Sequence, residues 1–592
     1  MKKCMMFIIA TVALAALVAS PVFASVDFNK PSVVVSFSGY KQAIADIDSL
    51  GEATGQPGMG QGLDMMVKMI LQGKLDALNL NRPCGAAAYY AENVPEGRPS
   101  PFLIFLPVSD MQKFVKTLEG MKYKSKKIDE DHYQFWQAPS GEEDPVCVKK
   151  QGNWLFISSK DLPLTNLPAD PVSLLGGLEK KYLVAVQLNG KNQGVKWLED
   201  IVLDTLHSFQ TSMARAFAGM AGPGEFTPPP RPKLADLGPG GQMLEESGKE
   251  VDTITIGLKF DKSNNKMTDL QLDLQITALP GTALAKRFNA APEQPSRFAG
   301  FYDPSAAVTM NVSSQLDQAS IAQMKQQLAM FKQQALAGLA THDLNEDEMA
   351  AAKNWIERLS KSINSTITEG NIDAGLKFKY AENASTFIFG AKLVDAKECD
   401  YVLRQLSQLL SKQQDVPVKL TLDAENLDDE IKLHKLGPAP PSPLLGPNPD
   451  CYIGVSSDAI FVALGTQSVE TLKAALKRSK KMAGDKVPTV RLSVDVAQVV
   501  QMANELSPEN MDQQVVAQLG SGNGKNVKLT VTPIANGMTQ TLEVSPKVVR
   551  ALMDMGMAQG MGGGAPGLPA EGPMPPMDGP PPAGGIGMPR NR

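Results

Sequence analysis

The sequence predicts an α+β protein made of two tandem, pseudo-repeated halves, each a largely antiparallel sheet with packed helices, followed by a disordered C-terminal tail. Two observations carry this prediction. Short alternating apolar runs and hairpins outnumber any regular strand-helix-strand alternation, and the same series of segments occurs twice in the same order. At 592 residues, the chain is also too long for a single hydrophobic core.

Each half opens on a strand that gives way to two helices. Pro31-Ser32 precedes VVVSFSGYKQAIADID and then GLDMMVKMILQG, whereas Pro304-Ser305 precedes AAVTMNVSSQLDQASIAQMKQQLAMF and then EDEMAAAKNWIERLSKSI. In both halves a β-branched or alternating run is followed by apolar residues at helical spacing. The last of these helices has three candidate N-caps, Thr341, Asp343 and Asn345.

The tetrapeptide YAEN stands at Tyr90 to Asn93 and again at Tyr380 to Asn383. It precedes the buried-strand run FLIF in the first half and FIF in the second. Asp110 or Asp395 then precedes a helical segment, where a carboxylate accepts from the orphan N–H groups of a helix N-terminus. Since the whole neighbourhood recurs, YAEN is interpreted as the turn of a repeated fold rather than as a repeated active site.

Each half ends on a pair of alternating segments around a polar turn, TITIGLKFDKSNNKMTDLQLDLQI in the first and NVKLTVTPIANGMTQTLEV in the second. Alternation on both sides of an Asn-bearing or Gly-bearing turn predicts a β-hairpin. The repeat therefore places the halves at residues 25–292 and 298–555. We expect them to pack about a pseudo-twofold axis.

Residues 1–24 read as a bacterial signal peptide, with Lys2 and Lys3 before an apolar run and Val22-Phe23-Ala24 as a small-x-small cleavage site. The expected location is periplasmic or extracellular. An uncleaved membrane anchor is the alternative for this segment, and no later segment is apolar and long enough to span a bilayer.

Two segments depart from the repeat. Residues 212–244, in the first half, form a Pro- and Gly-rich insertion that predicts a surface loop. Residues 556–592 are rich in Gly, Pro and Met and have almost nothing to bury, so a disordered tail is expected.

Without the leader, four cysteines remain. A disulfide between Cys84 and Cys147, in the same half, is one hypothesis, because an exported protein meets an oxidising compartment. Buried thiols that act as small hydrophobic side chains are the other hypothesis.

Methionines near the C-terminus are an alternative metal site. Thioethers are soft ligands that suit Cu(I), and flexible chain could bring several together. The residues concerned are Met553, Met555, Met557 and Met561.

Composition and motifs exclude several function classes. The formal net charge of −5 gives no basic field for nucleic acid. The four histidines lie in four separate segments, and the sequence contains no HExxH, no GxSxG elbow and no complete phosphate loop or dinucleotide fingerprint. The sequence therefore predicts no catalytic residue and no cofactor.

A signal peptide, two α+β halves with Phe- and Ile-rich strand pairs, and a Pro- and Gly-rich tail together resemble a group of uncharacterised secreted bacterial proteins with a duplicated α+β domain. The resemblance covers most of residues 31–555. It implies no assigned activity, so it carries over no functional residue.

The function that these observations favour is a non-enzymatic binding or structural protein of the periplasm or cell envelope, with an envelope protein or a small ligand as partner. The first alternative is a hydrolase whose carboxylates are scattered in sequence. The second is copper handling by the methionine-rich tail.

Overall fold

The structure, a computed structural model, describes residues 28–70, 77–89, 102–121, 123–137, 145–159, 164–192, 248–263, 266–339, 345–412, 419–427, 430–507, 513–520, 524–551 and 553. The leader (1–24), the insertion (212–244) and the tail (556–592) lie outside these residues. Predictions about those three segments therefore remain predictions.

The first part of the chain holds these strands and helices: β1 Val33–Phe37, α1 Tyr40–Thr54, α2 Met59–Ile70, β2 Cys84–Ala88, β3 Phe102–Pro107, α3 Met111–Gly120, β4 Tyr123–Lys127, β5 His132–Gln137, β6 Val146–Gln151, β7 Trp154–Ser159, α4 Leu178–Lys181, β8 Val184–Asn189, β9 Val251–Ser263, β10 Lys266–Ala278 and α5 Ala283–Asn289.

The remainder holds these: β11 Gln294–Pro295, β12 Val308–Gln315, α6 Gln318–Leu339, α7 Glu346–Glu369, β13 Asn371–Lys379, β14 Thr386–Lys392, α8 Lys397–Lys412, β15 Lys419–Leu427, β16 Ile431–Gly437, β17 Cys451–Val455, β18 Ala459–Gly465, α9 Ser468–Lys481, β19 Lys486–Val487, β20 Val490–Asp495, α10 Val496–Leu506, α11 Gln513–Leu519, β21 Asn526–Ile534 and β22 Gly537–Val544. The mixed α+β class predicted from the sequence is confirmed.

Twenty of the described strands form one sheet, and every neighbouring pair in it is antiparallel. The pairings run in the order β4-β5-β6-β7-β3-β2-β1-β8-β9-β10-β22-β21-β20-β12-β13-β14-β18-β17-β16-β15. Strands β11 and β19 form a separate two-stranded sheet. Because β10 pairs with β22, the strands of the first and second parts of the chain share a single continuous sheet.

The two predicted hairpins and the caps of α3 and α7 can be located directly. The hairpins β9–β10 and β21–β22 are both formed. Asp110 caps α3 by accepting from the Lys113 N–H. Of the three candidate caps of α7, the structure selects Asn345, which forms a capping box with Glu348. The second YAEN is a turn between β13 and β14, as predicted, and Asn383 adopts a φ of 51° in it.

Helices and short helical turns pack on both faces of the sheet. Helix α3 packs on β5, β6 and β7, and α8 packs on β17 and β18 through residues such as Leu403 and Val455. On the opposite face, Phe298, Phe301 and α9 pack against β14, β16 and β18. This second layer is possible because Gly375 and Gly390 leave room for the rings of Phe298 and Phe301.

None of the described helices is long and apolar enough to cross a membrane.

Candidate functional site

The two faces of the central strands differ in polarity, and the polar face is buried at several positions on β9, β10 and β12. On β9 and β10, Thr255 is 3% exposed and Asp273 is 2% exposed. On β12, Asn311 is fully buried. Gly257 lies on the same face, where a Cβ would stand 2.4 Å from the ring of Tyr182. This face is therefore covered closely, and its small residues are what allow the cover to approach.

Asp273 is the centre of the polar contacts on this covered face. Its carboxylate accepts from Lys259 Nζ at 2.9 Å, from Thr541 Oγ1 at 2.8 Å and from Tyr182 Oη at 3.1 Å. Burial alone would raise the pKa of Asp273, but these hydrogen bonds and the charge of Lys259 outweigh it and hold the pKa below its ordinary value. Since Thr541 is on β22, Asp273 also joins β10 to the other part of the sheet.

A second polar network lies on the same face of the sheet, at strands β20, β12 and β13. Asn311 donates to Ser296 Oγ at 2.8 Å, and Ser296 donates to Asp373 at 2.5 Å. Arg491 donates to Asn311 Oδ1 at 2.9 Å and lies over the ring of Tyr302. Burial raises the pKa of Asp373 despite these hydrogen bonds. The contacts bind segments of the fold to one another, which accounts for polar residues on a buried face.

The opposite face of the same strands carries aliphatic side chains in continuous cross-strand rows. One row follows the Cα pairing through Leu258, Leu272, Leu542 and Leu529. A neighbouring row contains Ile256, Leu274, Gln540 and Val531. We call the sixteen side chains of these two rows on eight strands the central apolar face: Val35 and Phe37, Val184 and Val186, Ile256 and Leu258, Leu272 and Leu274, Gln540 and Leu542, Leu529 and Val531, Val490 and Leu492, Met310 and Val312.

None of these sixteen side chains is buried. Ile256 on β9 and Leu272 on β10 are 46% and 41% exposed, and the others are half-buried. Gln540 is the one polar side chain in the set. The distribution is the reverse of that expected for a sheet with a single covered face, which turns its apolar residues inward.

Packed helices stand at the edges of this face. Val35 is the cross-strand partner of Ala86, and Ala86 is the partner of Ile104. These residues lie beside the hydrophobic cluster under α3. On the other side, the row that contains Val35 continues by cross-strand pairing from Val312 to Ile460, which belongs to the hydrophobic cluster under α8. Helix α1 lies beside the turn end of β9, where Asp46 pairs with Lys262 at 2.6 Å. The central apolar face is therefore the floor of a trough, and α3 and α8 form its two end walls.

The central apolar face can bind an apolar partner, but it provides few groups that could form hydrogen bonds with that partner. The backbone N–H and C=O groups of the strands are committed to the ladders on both sides. Binding there would depend on the removal of apolar surface from water, at about 25 cal/mol per Å². Contiguous apolar patches beyond a few hundred Å² mark interaction sites on soluble proteins.

The structure brings together a buried histidine site that sequence reasoning missed. His434 on β16 is fully buried, with Nε2 at 3.1 Å from Asp400 Oδ1 on α8, and its Nδ1 accepts from the Asp423 N–H. Arg404 pairs with both aspartates. Burial lowers the pKa of His434, against the opposing effect of the two carboxylates. No spacing in the sequence signals this group, because a helix and two strands contribute to it.

The sequence-predicted sites fall elsewhere. The Cys84–Cys147 disulfide is not formed, and both residues are thiols. They lie on β2 and β6, which are separated by β3 and β7. Three strand spacings correspond to about 14 Å, beyond the reach of a disulfide. Burial raises the pKa of Cys84 to about 12, so its thiol is protonated and unreactive at neutral pH.

The candidate copper ligands cannot be placed as a set. Met553 is the last of the described residues, whereas Met555, Met557 and Met561 lie outside them. Within the described part, no group of three or more His, Cys, Asp or Glu side chains could hold a metal ion.

A smaller groove lies between α9 and the start of β16, with a volume of about 290 Å³. Arg297, Glu430 and Lys480 line it together with Ile431 and Leu476. Because Arg297 already pairs with Asp458, the groove presents mixed charge rather than a cationic site.

No protein-family model, no curated protein and no solved structure matches this chain.

Proposed function

We propose that this chain is an exported, non-enzymatic binding protein of the periplasm or cell envelope, and that it holds an apolar ligand on the central apolar face. The observation that carries the proposal is the reversed polarity of the central sheet. Asp273 and Asn311 are buried on one face, while Ile256 and Leu272 are exposed on the other.

The physical argument compares the free energy of burying polar side chains with that of exposing apolar ones. Burial of a charged or amide side chain requires hydrogen-bond partners that compensate for lost water, and the covered face supplies them at each such residue. Exposure of aliphatic side chains gives up hydrophobic stabilisation that the opposite arrangement would gain. A sheet selected for stability alone would present the other face to water. An occupant of the apolar face removes this cost.

Export rests on the sequence of residues 1–24, which has the form of a cleavable leader. An apolar binding site fits that compartment, because the cell envelope is rich in apolar molecules that need a carrier or a holder in water.

We also propose that the binding face is made by tandem duplication. Outward from β10 the strands are β9, β8, β1, β2, β3, β7, β6, β5 and β4; outward from β22 they are β21, β20, β12, β13, β14, β18, β17, β16 and β15. The strands that the sequence repeat pairs, β1 with β12 and β3 with β14, have the same rank in the two series, as do the hairpins β9–β10 and β21–β22, which supports the proposal. A pseudo-twofold axis between Leu272 and Leu542 would then relate the two sides of the floor.

The proposal is tested with the dye 1-anilinonaphthalene-8-sulfonate, which fluoresces in apolar sites. The native protein is expected to bind it saturably. The double variant Leu272→Gln/Leu542→Gln should bind at least about tenfold more weakly, since two polar amides would then face the ligand without partners.

The matched control is Ile363→Gln on α7, because Ile363 is 40% exposed but lies outside the floor. It should bind the dye like the unaltered protein. The urea midpoints of all three proteins should agree, which separates loss of the site from loss of the fold. Failure of the folded native protein to bind the dye, or equal loss of binding in the control, would overturn the proposal.

A further inference from the structure

We propose that the occupant of the central apolar face is the pair of acyl chains of a membrane lipid. This inference rests on the proposed function, because it names the ligand class of that same site. It is carried by the chemistry of the floor, by its dimensions and by the helices at its ends.

The chemistry of the floor favours hydrocarbon over an extended polypeptide. Of the sixteen side chains, fifteen are Val, Ile, Leu, Phe or Met, and Gln540 is the one with an amide that donates and accepts hydrogen bonds. A bound peptide segment in extended form would bring its own N–H and C=O groups onto a surface without partners for them, at about 1–3 kcal/mol for each unsatisfied group. The anchors that dominate protein interfaces are Trp, Tyr and Arg, and the floor contains none of these.

The dimensions favour a ligand with more than one chain. Eight strands at a spacing of about 4.8 Å make each row about 34 Å wide. The two rows are two residues apart along the strands, or about 7 Å. One acyl chain corresponds to half the hydrocarbon core of a bilayer, about 15 Å. A single chain would therefore cover part of one row, whereas two chains side by side cover the same length of both rows and remove about twice as much apolar surface from water.

The end walls disfavour a second copy of this protein as the occupant. Helices α3 and α8 pack on the same side of the sheet as the floor, and each rises by a helix diameter of about 10 Å. If two copies met face to face, wall against wall, their floors would stand about 20 Å apart, twice the distance of packed sheets. Hydrocarbon chains can fill such a trough without this restriction.

The test uses the full chain and vesicles made of equal parts phosphatidylethanolamine and phosphatidylglycerol, with a trace of pyrene-labelled phosphatidylglycerol. After incubation, the vesicles are removed by flotation and the pyrene that remains with the protein is measured. We expect the protein to retain labelled lipid. Retention should fall at least about tenfold in Leu272→Gln/Leu542→Gln and stay unchanged in Ile363→Gln.

A second arm separates the sources of the hydrocarbon. A single-chain fatty acid that carries the same pyrene label is offered at the same concentration, and we expect it to bind at least about tenfold more weakly than the diacyl lipid, because it covers less of the floor. Equal or tighter binding of the single chain would overturn the inference. So would equal lipid retention by the floor variant.

Failure of the inference can be told from failure of the proposed function. If the anilinonaphthalene dye binds at the floor but no lipid is retained, an apolar site exists and the lipid assignment is wrong. If sedimentation shows a dimer that the dye dissociates, the occupant is a second copy, which also contradicts the lipid assignment. Absence of dye binding and of lipid retention would contradict both.

Discussion

At the scale of single residues, Asp273 shows how the sheet keeps a charge on its buried face. The carboxylate is 2% exposed and receives three side-chain hydrogen bonds, one of them from Thr541 across the junction between β10 and β22. Charge-assisted hydrogen bonds of this kind contribute more than neutral ones. Asp273 thus stabilises both the cover over β9 and the pairing of the two central strands.

Replacement of Asp273 by Asn should destabilise the protein by about 2 kcal/mol at neutral pH, because the charged acceptor is lost while the amide retains the shape. The urea-unfolding midpoint measures the effect. The control is Asp261→Asn on β9, where the aspartate is exposed; a change beyond about 0.5 kcal/mol is not expected there.

The pH dependence of this difference follows from the sign of the pKa shift. The folded-state pKa of Asp273 lies below its ordinary value. Its contribution is therefore complete above the unfolded-state pKa of about 3.9 and is lost as the pH falls through the folded-state pKa. The gap between the unaltered protein and Asp273→Asn should be constant from about pH 7 to pH 5 and should narrow below about pH 4. A gap that widens on acidification would contradict the assigned hydrogen bonds.

At the scale of elements, a glycine of β13 shows how closely Phe298 and Phe301 pack on the sheet. A Cβ on Gly375 of β13 would stand 2.7 Å from Phe301 Cβ and 2.8 Å from Phe298 Cβ. Such a position cannot accept a methyl group unless Phe298 or Phe301 shifts. A glycine with open surroundings should behave in the opposite way.

The paired substitutions Gly375→Ala and Gly62→Ala test this contrast. Gly375→Ala should destabilise by about 1–3 kcal/mol through overpacking. Gly62, inside α2, has no heavy atom within 4 Å of an added Cβ, so Gly62→Ala should stabilise by about 0.5–1 kcal/mol through helix propensity. Thermal unfolding measures both changes in stability. If the two changes had the same sign, Phe298 and Phe301 would not pack against Gly375 as closely as described.

The elements also show where sequence reasoning succeeds and where it stops. Alternation in TITIGLKF and DLQLDLQI predicted the β9–β10 hairpin, because a period of two residues separates two faces. Alternation cannot say which face is covered, and here the polar one is. The signal that was available is Gly257, a glycine on the polar face of a strand, which indicates the close approach of another group, in this case the ring of Tyr182.

Helix caps were more predictable than tertiary sites, for a physical reason. Asp110 and Asn345 act on N–H groups three residues away, so the local sequence contains the whole interaction. The cluster around His434 draws on residues from α8, β15 and β16, and its formation depends on how those elements pack. The Cys84–Cys147 pairing failed for the same reason, since the strand order that separates the two residues is a property of the whole sheet.

At the scale of the whole molecule, the pairing of β10 with β22 makes one sheet from two parts of the chain that are far apart in sequence. Eight residue pairs join them, from Leu270 opposite Val544 to Thr277 opposite Gly537. The floor proposed to bind lipid crosses this junction, because Leu272 and Leu542 are direct partners. The register at the junction therefore fixes the continuity of the site, since a slip of one residue would turn the side chains of one strand to the other face.

A cysteine pair at the junction tests this register. Gln275 and Thr539 are directly opposite each other on β10 and β22, and opposed positions in an antiparallel pair place their Cβ atoms about 4.5–5.5 Å apart, close enough for a disulfide after a small adjustment. The variant Gln275→Cys/Thr539→Cys should therefore form a cross-link on mild oxidation, detected as one disulfide-linked peptide by mass spectrometry. The control Gln275→Cys/Gln540→Cys shifts one cysteine by one residue, to the opposite face of β22, and should remain reduced.

Because the new bridge closes a loop of more than two hundred residues, it should raise the free energy of unfolding by up to about 5 kcal/mol in the chain-entropy model. A cross-link in the control, but not in the in-register pair, would mean that the two parts of the sheet meet in a different register and that the rows of the central apolar face are not continuous.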